Sequence, residues 1–296
     1  MIALIQCPEL TGVENAWGPG VDTCLLNVVD RPILQHILET LSDCGVRKLH
    51  VHIGQGNQQR MDLLGDGSRW GMTIRMWFGP APSEEMNAAI LDDLREARGF
   101  IVGSGDSLPQ LAKLVEENAR VAGSQEDGSV GDWIILPGYS GIRWINHQLP
   151  GEVAMISTRK RTLWMDTRSP KALLESQRLL LERKFSAVPL FGCEIKPGVW
   201  AARGAKIDSS AVVEGPAYIG PFAIIGRDCN ILACSVIGEG AVVEQGTSVE
   251  ASFVGKSTRV GKCLHVRDSL ILGNVFYSTR YATCVTISDS ILAGEI

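Results

Sequence analysis

Counting every sixth residue from Ile207 gives Ile207, Val213, Ile219, Ile225, Ile231, Ile237, Val243 and Val249, all of them Ile or Val. After a slip of one residue the series resumes at Val254, Val260 and Val266. The next position is often small or acidic, as at Gly220, Gly226, Gly238 and Glu244. A period of six fits neither a helix nor an alternating hairpin; it is the hexapeptide repeat of a β-helix. The spacing predicts one short strand per rung, three rungs per triangular coil, inward Ile/Val side chains stacked as a core, and small residues or glycines at the corners. The repeat starts near Val199 and degenerates after Leu272, with Thr286 to Leu292 expected as one more partial rung. A solenoid of this kind must protect its open ends, so packing with further copies is expected.

The first 185 residues follow another rhythm. Short β-branched runs (Ile2 to Leu4, Lys48 to Ile53, Ile74 to Phe78, Phe100 to Val102) alternate with helical patterns at Pro32 to Ser42, Met86 to Ala97 and Leu108 to Ala119. Such alternation predicts βαβ units with a mostly parallel sheet. In "VRKLHVHIG" (Val46 to Gly54), His50 and His52 share a face with no acidic neighbour in sequence, which reads as packing or a sheet edge. A helix from Pro170 to Arg183 leads through "KFSAVP" into the repeat. The expected division is therefore 1–185, a linker at 186–198, and 199–296.

Composition narrows the functional classes. The 296 residues are 45% hydrophobic and 21% charged, with a net charge of −5. One short basic run, Arg159-Lys160-Arg161, is no electrostatic footprint for nucleic acid, so nucleic-acid binding is not expected. The eight cysteines form no CxxC and are expected as free buried thiols of a reducing, cytoplasmic setting. No basic-then-apolar leader follows Met1, and no apolar run approaches the ~18 residues of a membrane span.

Four ordered blocks carry a resemblance: "LLNVVDRPILQHILETLSDCGVRKLHVHIG" (Leu25 to Gly54), "GDGSRWGMTIRMW" (Gly65 to Trp77), "FIVGSGDSL" (Phe100 to Leu108) and "LWMDTRSPKALLESQRLLLERKF" (Leu163 to Phe185). Together with the repeat they resemble the sugar-phosphate nucleotidyltransferases, which join a nucleoside triphosphate to a sugar 1-phosphate. The glucose-1-phosphate adenylyltransferase and mannose-1-phosphate guanylyltransferase branches are nearest in layout. "DSLILGNVFY" (Asp268 to Tyr277) is similar to part of the adenylyltransferase β-helix domain. The resemblance implies an α/β fold: a Rossmann-like nucleotidyltransferase domain followed by a left-handed parallel β-helix.

It also implies where the chemistry should sit. The family's glycine-rich phosphate loop corresponds to "QCPELTGVENAWGPG" after Ile5, where neither Arg nor Lys occurs between Met1 and Val29. Glu9, Glu14 and Asp22 would each repel a polyphosphate by roughly 1 kcal/mol. The remaining loop candidates for a nucleotide are Gly18, Gly20 and Thr23, the last standing in "DTCLL" where the family has lysine. Asp106, after the "FIVGSG" strand, and Asp166 in "LWMDTRSP" match the family's two Mg²⁺ carboxylates. An aspartate at a strand end serves equally as a helix N-cap or turn residue, so both roles stay open. The family's Gly-Thr-Ala-Gly element before a helix becomes Glu84-Glu85-Met86-Asn87. About sixty residues separate Asp106 from Asp166, which shortens the sugar-binding part, with "PGYSGIRWI" (Pro137 to Ile145) as a remnant strand.

Three functions follow. The first is a catalytically impaired relative acting as a regulatory or assembly subunit, homo-oligomeric or paired with an active homologue, in sugar-nucleotide or polysaccharide metabolism. The second is an active Mg²⁺-dependent sugar-1-phosphate nucleotidyltransferase binding nucleotide and sugar phosphate. The third is a hexapeptide acyltransferase, for which His265 in "GKCLHVRDS" is the sole catalytic candidate; its place in the rung phase reads instead as packing.

Overall fold

A computed structural model describes residues 1–8, 16–17, 20–54, 57–111, 122–124, 130–137, 163–185 and 188–295, with backbone alone at 122–124, 130–132 and 137. They group into two compact units: Met1–Leu26 with Pro32–Arg168, and Asn27–Arg31 with Ser169–Ile296.

The first unit is built on a six-stranded sheet. Its strands are β1 (Ile2–Gln6), β2 (Lys48–Gly54), β3 (Thr73–Phe78) and β4 (Gly99–Ser104), followed along the chain by β5 (Ser107–Pro109), β6 (Ala122–Ser124), β7 (Val130–Pro137) and β8 (Trp164–Asp166). The sheet order is β3-β2-β1-β4-β7-β6, with the first four parallel and the last two antiparallel. β5 and β8 form a separate antiparallel pair. β1 is buried at Ile2, Ala3, Leu4 and Ile5, as expected of a strand covered on both faces. Helix α1 (Ile33–Asp43) buries Ile33, Leu34, Ile37, Leu38 and Leu41, an i, i+1, i+4, i+5, i+8 stripe. Helix α2 (Gln58–Leu64) is capped by the Asn57 side chain, and helix α3 (Glu84–Leu94) by Ser83, whose Oγ accepts the Met86 N–H. Met86, Ile90 and Leu94 of α3 pack with Ile2, Leu4, Phe100 and Val102.

Several expectations change here. Leu108 lies in a strand, β5, rather than opening a helix, and 112–120 fall outside the described residues. β2 is interior, not an edge. His50 does have an acidic partner: Nε2 is 3.0 Å from Asp93 Oδ2, brought by α3 from 43 residues away. Trp77 Nε1 donates to His50 Nδ1 (3.1 Å), so the neutral ring carries its proton on Nε2 and donates it to Asp93. Burial pushes the His50 pKa down, against the pull of Asp93. His52 is also buried, and its Nε2 meets no hydrogen-bonding partner among the described residues. Glu84 to Asn87 form the first turn of α3 instead of preceding it.

The second unit carries the hexad series as a β-helix. Strands recur on three faces, with Val199 pairing Ala217, Lys206 pairing Ile224 and Val212 pairing Asn230, all parallel. Val213, Ile219, Ile225, Ile231, Ile237, Val243, Val249, Val254, Val260 and Val266 share one buried core, with Ile207 packed against it. Full burial of each such side chain contributes about 1.5–3 kcal/mol. The one-residue slip is visible in the pairing, since Val236 pairs Phe253 and Val242 pairs Arg259, 17 residues on rather than 18. The corners carry positive φ at the same period: Phe222, Asp228, Cys234, Gly240, Gly246, then Ala251, Ser257 and Cys263. Small residues or glycine were expected at these corners; Cys234, Gly240, Gly246, Ala251, Ser257 and Cys263 fit, whereas Phe222 and Asp228 do not, and each non-glycine residue here costs about 1–2 kcal/mol; the stacked core over-determines the bend.

Helix α4 (Pro170–Leu181) belongs to this unit and lies against the strand Ser269–Leu272. The outward side chains of that face, Tyr218, Val236, Phe253 and Leu270, are buried. The excursion 27–31 is tied down by Arg31, which donates to Pro189 O (3.1 Å) and stacks on Phe191. After Leu272 the chain makes antiparallel strands Val275–Ser278 and Thr283–Thr286. Beyond Thr286 there is no further rung: Ile287 to Leu292 form a turn leading to Ala293–Glu295, which runs antiparallel to Thr258–Val260.

Candidate active site

The site lies in the first unit, at the carboxyl ends of β1 and β4. Past Ser104 the chain turns through Gly105, whose N–H donates to Gln6 O (2.9 Å). A Cβ at Gly105 would stand 2.8 Å from Cys7 Sγ and 2.9 Å from Cys24 Sγ, so glycine is required for this close approach. Burial, helped by the neighbouring Cys7, pushes the Cys24 thiol well above its ordinary pKa. Cys7, Cys24 and Cys229 are buried as expected, whereas Cys193, Cys263 and Cys284 are exposed and Cys44 and Cys234 half-buried.

Asp106 follows Gly105 and is 3% exposed. Ser104 Oγ donates to its Oδ1 (2.7 Å) and Thr23 Oγ1 to its Oδ2 (3.1 Å). Burial raises the Asp106 pKa, and Asp166 adds to this; the two hydroxyls and Arg168 work against it. Pairing of β5 with β8 puts Asp166 opposite Ser107, so the two candidate carboxylates stand at one end of the same strand pair. Thr167 stitches them together: its N–H donates to Asp106 O (3.0 Å), and its single hydroxyl hydrogen is shared between Thr23 O (2.7 Å) and Asp106 O (3.0 Å). Trp17 Nε1 donates to Thr167 O (2.7 Å). Asp166 accepts from Arg168: the backbone N–H reaches Oδ1 (2.7 Å), Nε and Nη2 reach Oδ2 (3.0 and 2.5 Å).

Of the loop candidates, Thr23 is therefore at the site, bonded to Asp106. Gly20 is exposed in a left-handed turn with open space around it, and Gly18, with Glu9 and Glu14, lies outside the described residues. So do Arg159 to Arg161 and the remnant strand beyond Pro137. His265 sits in the strand His265–Arg267 with an exposed side chain.

A cation from helix α2 does reach the loop, which nothing in the linear pattern marked. Arg60, in the middle of α2, is 1% exposed and reaches Asp22 through Nε (2.7 Å to Oδ2) and Nη2 (2.7 Å to Oδ1). Its Nη1 donates to Pro8 O and Ile53 O, and Nη2 also to Pro8 O. Asp22, expected to repel an anion, is thus neutralised by a residue 38 positions away.

For Mg²⁺, Asp106 and Asp166 offer the usual one or two carboxylates. Among the described residues no group of three or more His, Cys, Asp or Glu converges as a metal site. As they stand, Asp106 is held by two hydroxyls and Asp166 by Arg168, so this donor set does not fit the ion without displacing Arg168.

Residues 195–292 match the family model described as the GMPPB C-terminal domain. A glucose-1-phosphate thymidylyltransferase of Streptomyces antibioticus is 22% identical over 84% of this chain and 91% of its own length. The chain is similar to sugar-phosphate nucleotidyltransferases over most of its length. Also similar to it are the bifunctional protein GlmU of Marinobacter nauticus, 21% identical over 81% of this chain and 67% of its own length, and a UTP–glucose-1-phosphate uridylyltransferase of Synechocystis sp., 28% identical over 37% of this chain and 29% of its own length. Among the described residues, no helix is long and apolar enough to cross a membrane.

Proposed function

We propose that this chain is a nucleotidyltransferase-like subunit that no longer transfers nucleotides, and that it regulates or assembles with an active homologue in cytoplasmic sugar-nucleotide or polysaccharide metabolism. One observation carries the reading: the family's lysine is Thr23, and Thr23 spends its hydroxyl on Asp106. Transfer requires the sugar 1-phosphate oxygen to attack the α-phosphorus of the triphosphate while the bond to the β-phosphate breaks and pyrophosphate leaves. That step needs cations on the phosphates and in-line alignment. Here the buried Arg60 is consumed by Asp22, and Arg168 by Asp166.

An active enzyme is the second reading, favoured by the adjacency of Asp106 and Asp166 across the β5–β8 pair. Arg168 is the exposed partner, 36% against 16% for Asp166. Swinging away, it would leave two carboxylates for Mg²⁺ and bring its own charge to a phosphate. Pyrophosphate release with Mg²⁺, across the common nucleoside triphosphates and several hexose 1-phosphates, separates the two. No turnover is expected; turnover abolished in Asp106→Ala would establish the second reading.

A further inference from the structure

The carboxylate of Asp22 is surrounded as a bound anion would be. Oδ2 accepts from Arg60 Nε (2.7 Å) and Asn57 Nδ2 (2.8 Å); Oδ1 accepts from Arg60 Nη2 (2.7 Å) and the Cys24 N–H (3.1 Å). A two-oxygen, fork-to-fork contact with arginine plus two further N–H donors is the pattern that recognises carboxylate and phosphate alike.

Two of the three donor groups, Arg60 and Asn57, are held without Asp22's help. Pro8 O and Ile53 O take the remaining guanidinium hydrogens and lock Arg60 in place. Asn57 Oδ1 accepts the N–H groups of Gln59 and Arg60, which fixes the direction of Nδ2. The acceptor, by contrast, sits just before the short 3₁₀ turn Thr23–Leu25, at the end of the loop. Arg60 and Asn57 form a fixed pair of donors filled by a side chain from the neighbouring segment, whose own turn adds the Cys24 N–H.

We infer that Arg60, Asn57 and the Cys24 N–H form an oxyanion seat of the phosphate class, and that Asp22 fills it as an internal stand-in for that ligand. It rests on the proposed function only for the reason the seat is closed: a loop that no longer grips a triphosphate has lost its cations elsewhere and covers the one it keeps. Removing the Asp22 carboxylate leaves a buried guanidinium without a counter-charge, a strongly destabilising state that an incoming anion relieves.

The test uses the full chain with Asp22→Ala and Asp22→Ser. Serine keeps an acceptor for the Cys24 N–H and so covers the case in which alanine fails to fold. Thermal shift and calorimetric titration are run with inorganic phosphate, pyrophosphate and, as a size-matched control, formate. Wild type is expected to show no response to phosphate or pyrophosphate. The Asp22 variants should melt lower, recover with either anion, and bind pyrophosphate at least about tenfold more tightly than wild type. Arg60→Met added to Asp22→Ser should abolish the recovery. Folded Asp22 variants that ignore both phosphate and pyrophosphate would overturn the inference, as would a response to formate alone or a response that survives Arg60→Met. Failure of the proposed function reads differently, as nucleotide transfer by the wild-type chain, and leaves these titrations untouched.

Discussion

Thr23→Val removes one hydroxyl and keeps side-chain shape at the position where the family has lysine. Thr23 is 7% exposed, and its Oγ1 is 3.1 Å from Asp106 Oδ2, at the long end for an O–H···O bond. Hydrogen bonds to charged groups are worth about 1.5–3 kcal/mol, and this length selects the lower end, about 1.5 kcal/mol at neutral pH. For a unit of this size that is a drop of about 3–6 °C in Tm. The pH dependence carries the sharper information. The pKa of Asp106 is raised in the folded state, so between the ordinary carboxylate value and the folded value the native chain holds more protons than the unfolded one. Stability then increases on acidification through that window and is lost as pH rises through the folded pKa. Losing the Thr23 hydroxyl raises the folded pKa further, so Thr23→Val gains more from acid and its deficit narrows as the pH falls. Chemical denaturation of both proteins from neutral to mildly acidic pH measures this. An unchanged stability, or a deficit independent of pH, would refute the claim that Thr23 holds a buried ionised Asp106.

Ile231→Ala, in the middle of the solenoid core, should cost about 2–5 kcal/mol in denaturant titration, because coils above and below prevent the cavity from collapsing. Gly238→Ala should cost about 1–3 kcal/mol, since the added Cβ would lie 2.8 Å from the Gly255 carbonyl carbon and Lys256 N of the next coil, and packed coils have no room to part. His50, held below its ordinary pKa by burial, binds fewer protons folded than unfolded, so wild-type stability should fall as pH drops below about 6.5, its unperturbed value. His50→Gln should flatten that region of the Tm–pH curve; an unaltered curve would show that the ring is not kept neutral.

The solenoid was legible in the chain because its code is one-dimensional. Each coil contacts only its neighbours, so an inward position recurs at a fixed interval and even the one-residue slip appears in the core series, Val249 to Val254. The parallel sheet was legible for a similar reason, as were Asp106 and Asp166, which a strand end and a quoted motif marked in place. The partners of those residues were not. Arg60 reaches Asp22 across 38 positions, Asp93 reaches His50 across 43, and Thr23 reaches Asp106 across 83. Nothing local distinguishes these residues from surface arginines, helix aspartates or loop threonines. The sequence alone determined which elements form and where candidate carboxylates stand, since periodicity and turn chemistry act over a few residues. Whether a charge is available to a ligand or already spent on another side chain was decided by tertiary structure, because a charge buried among packed elements must find its partner wherever the fold brings one.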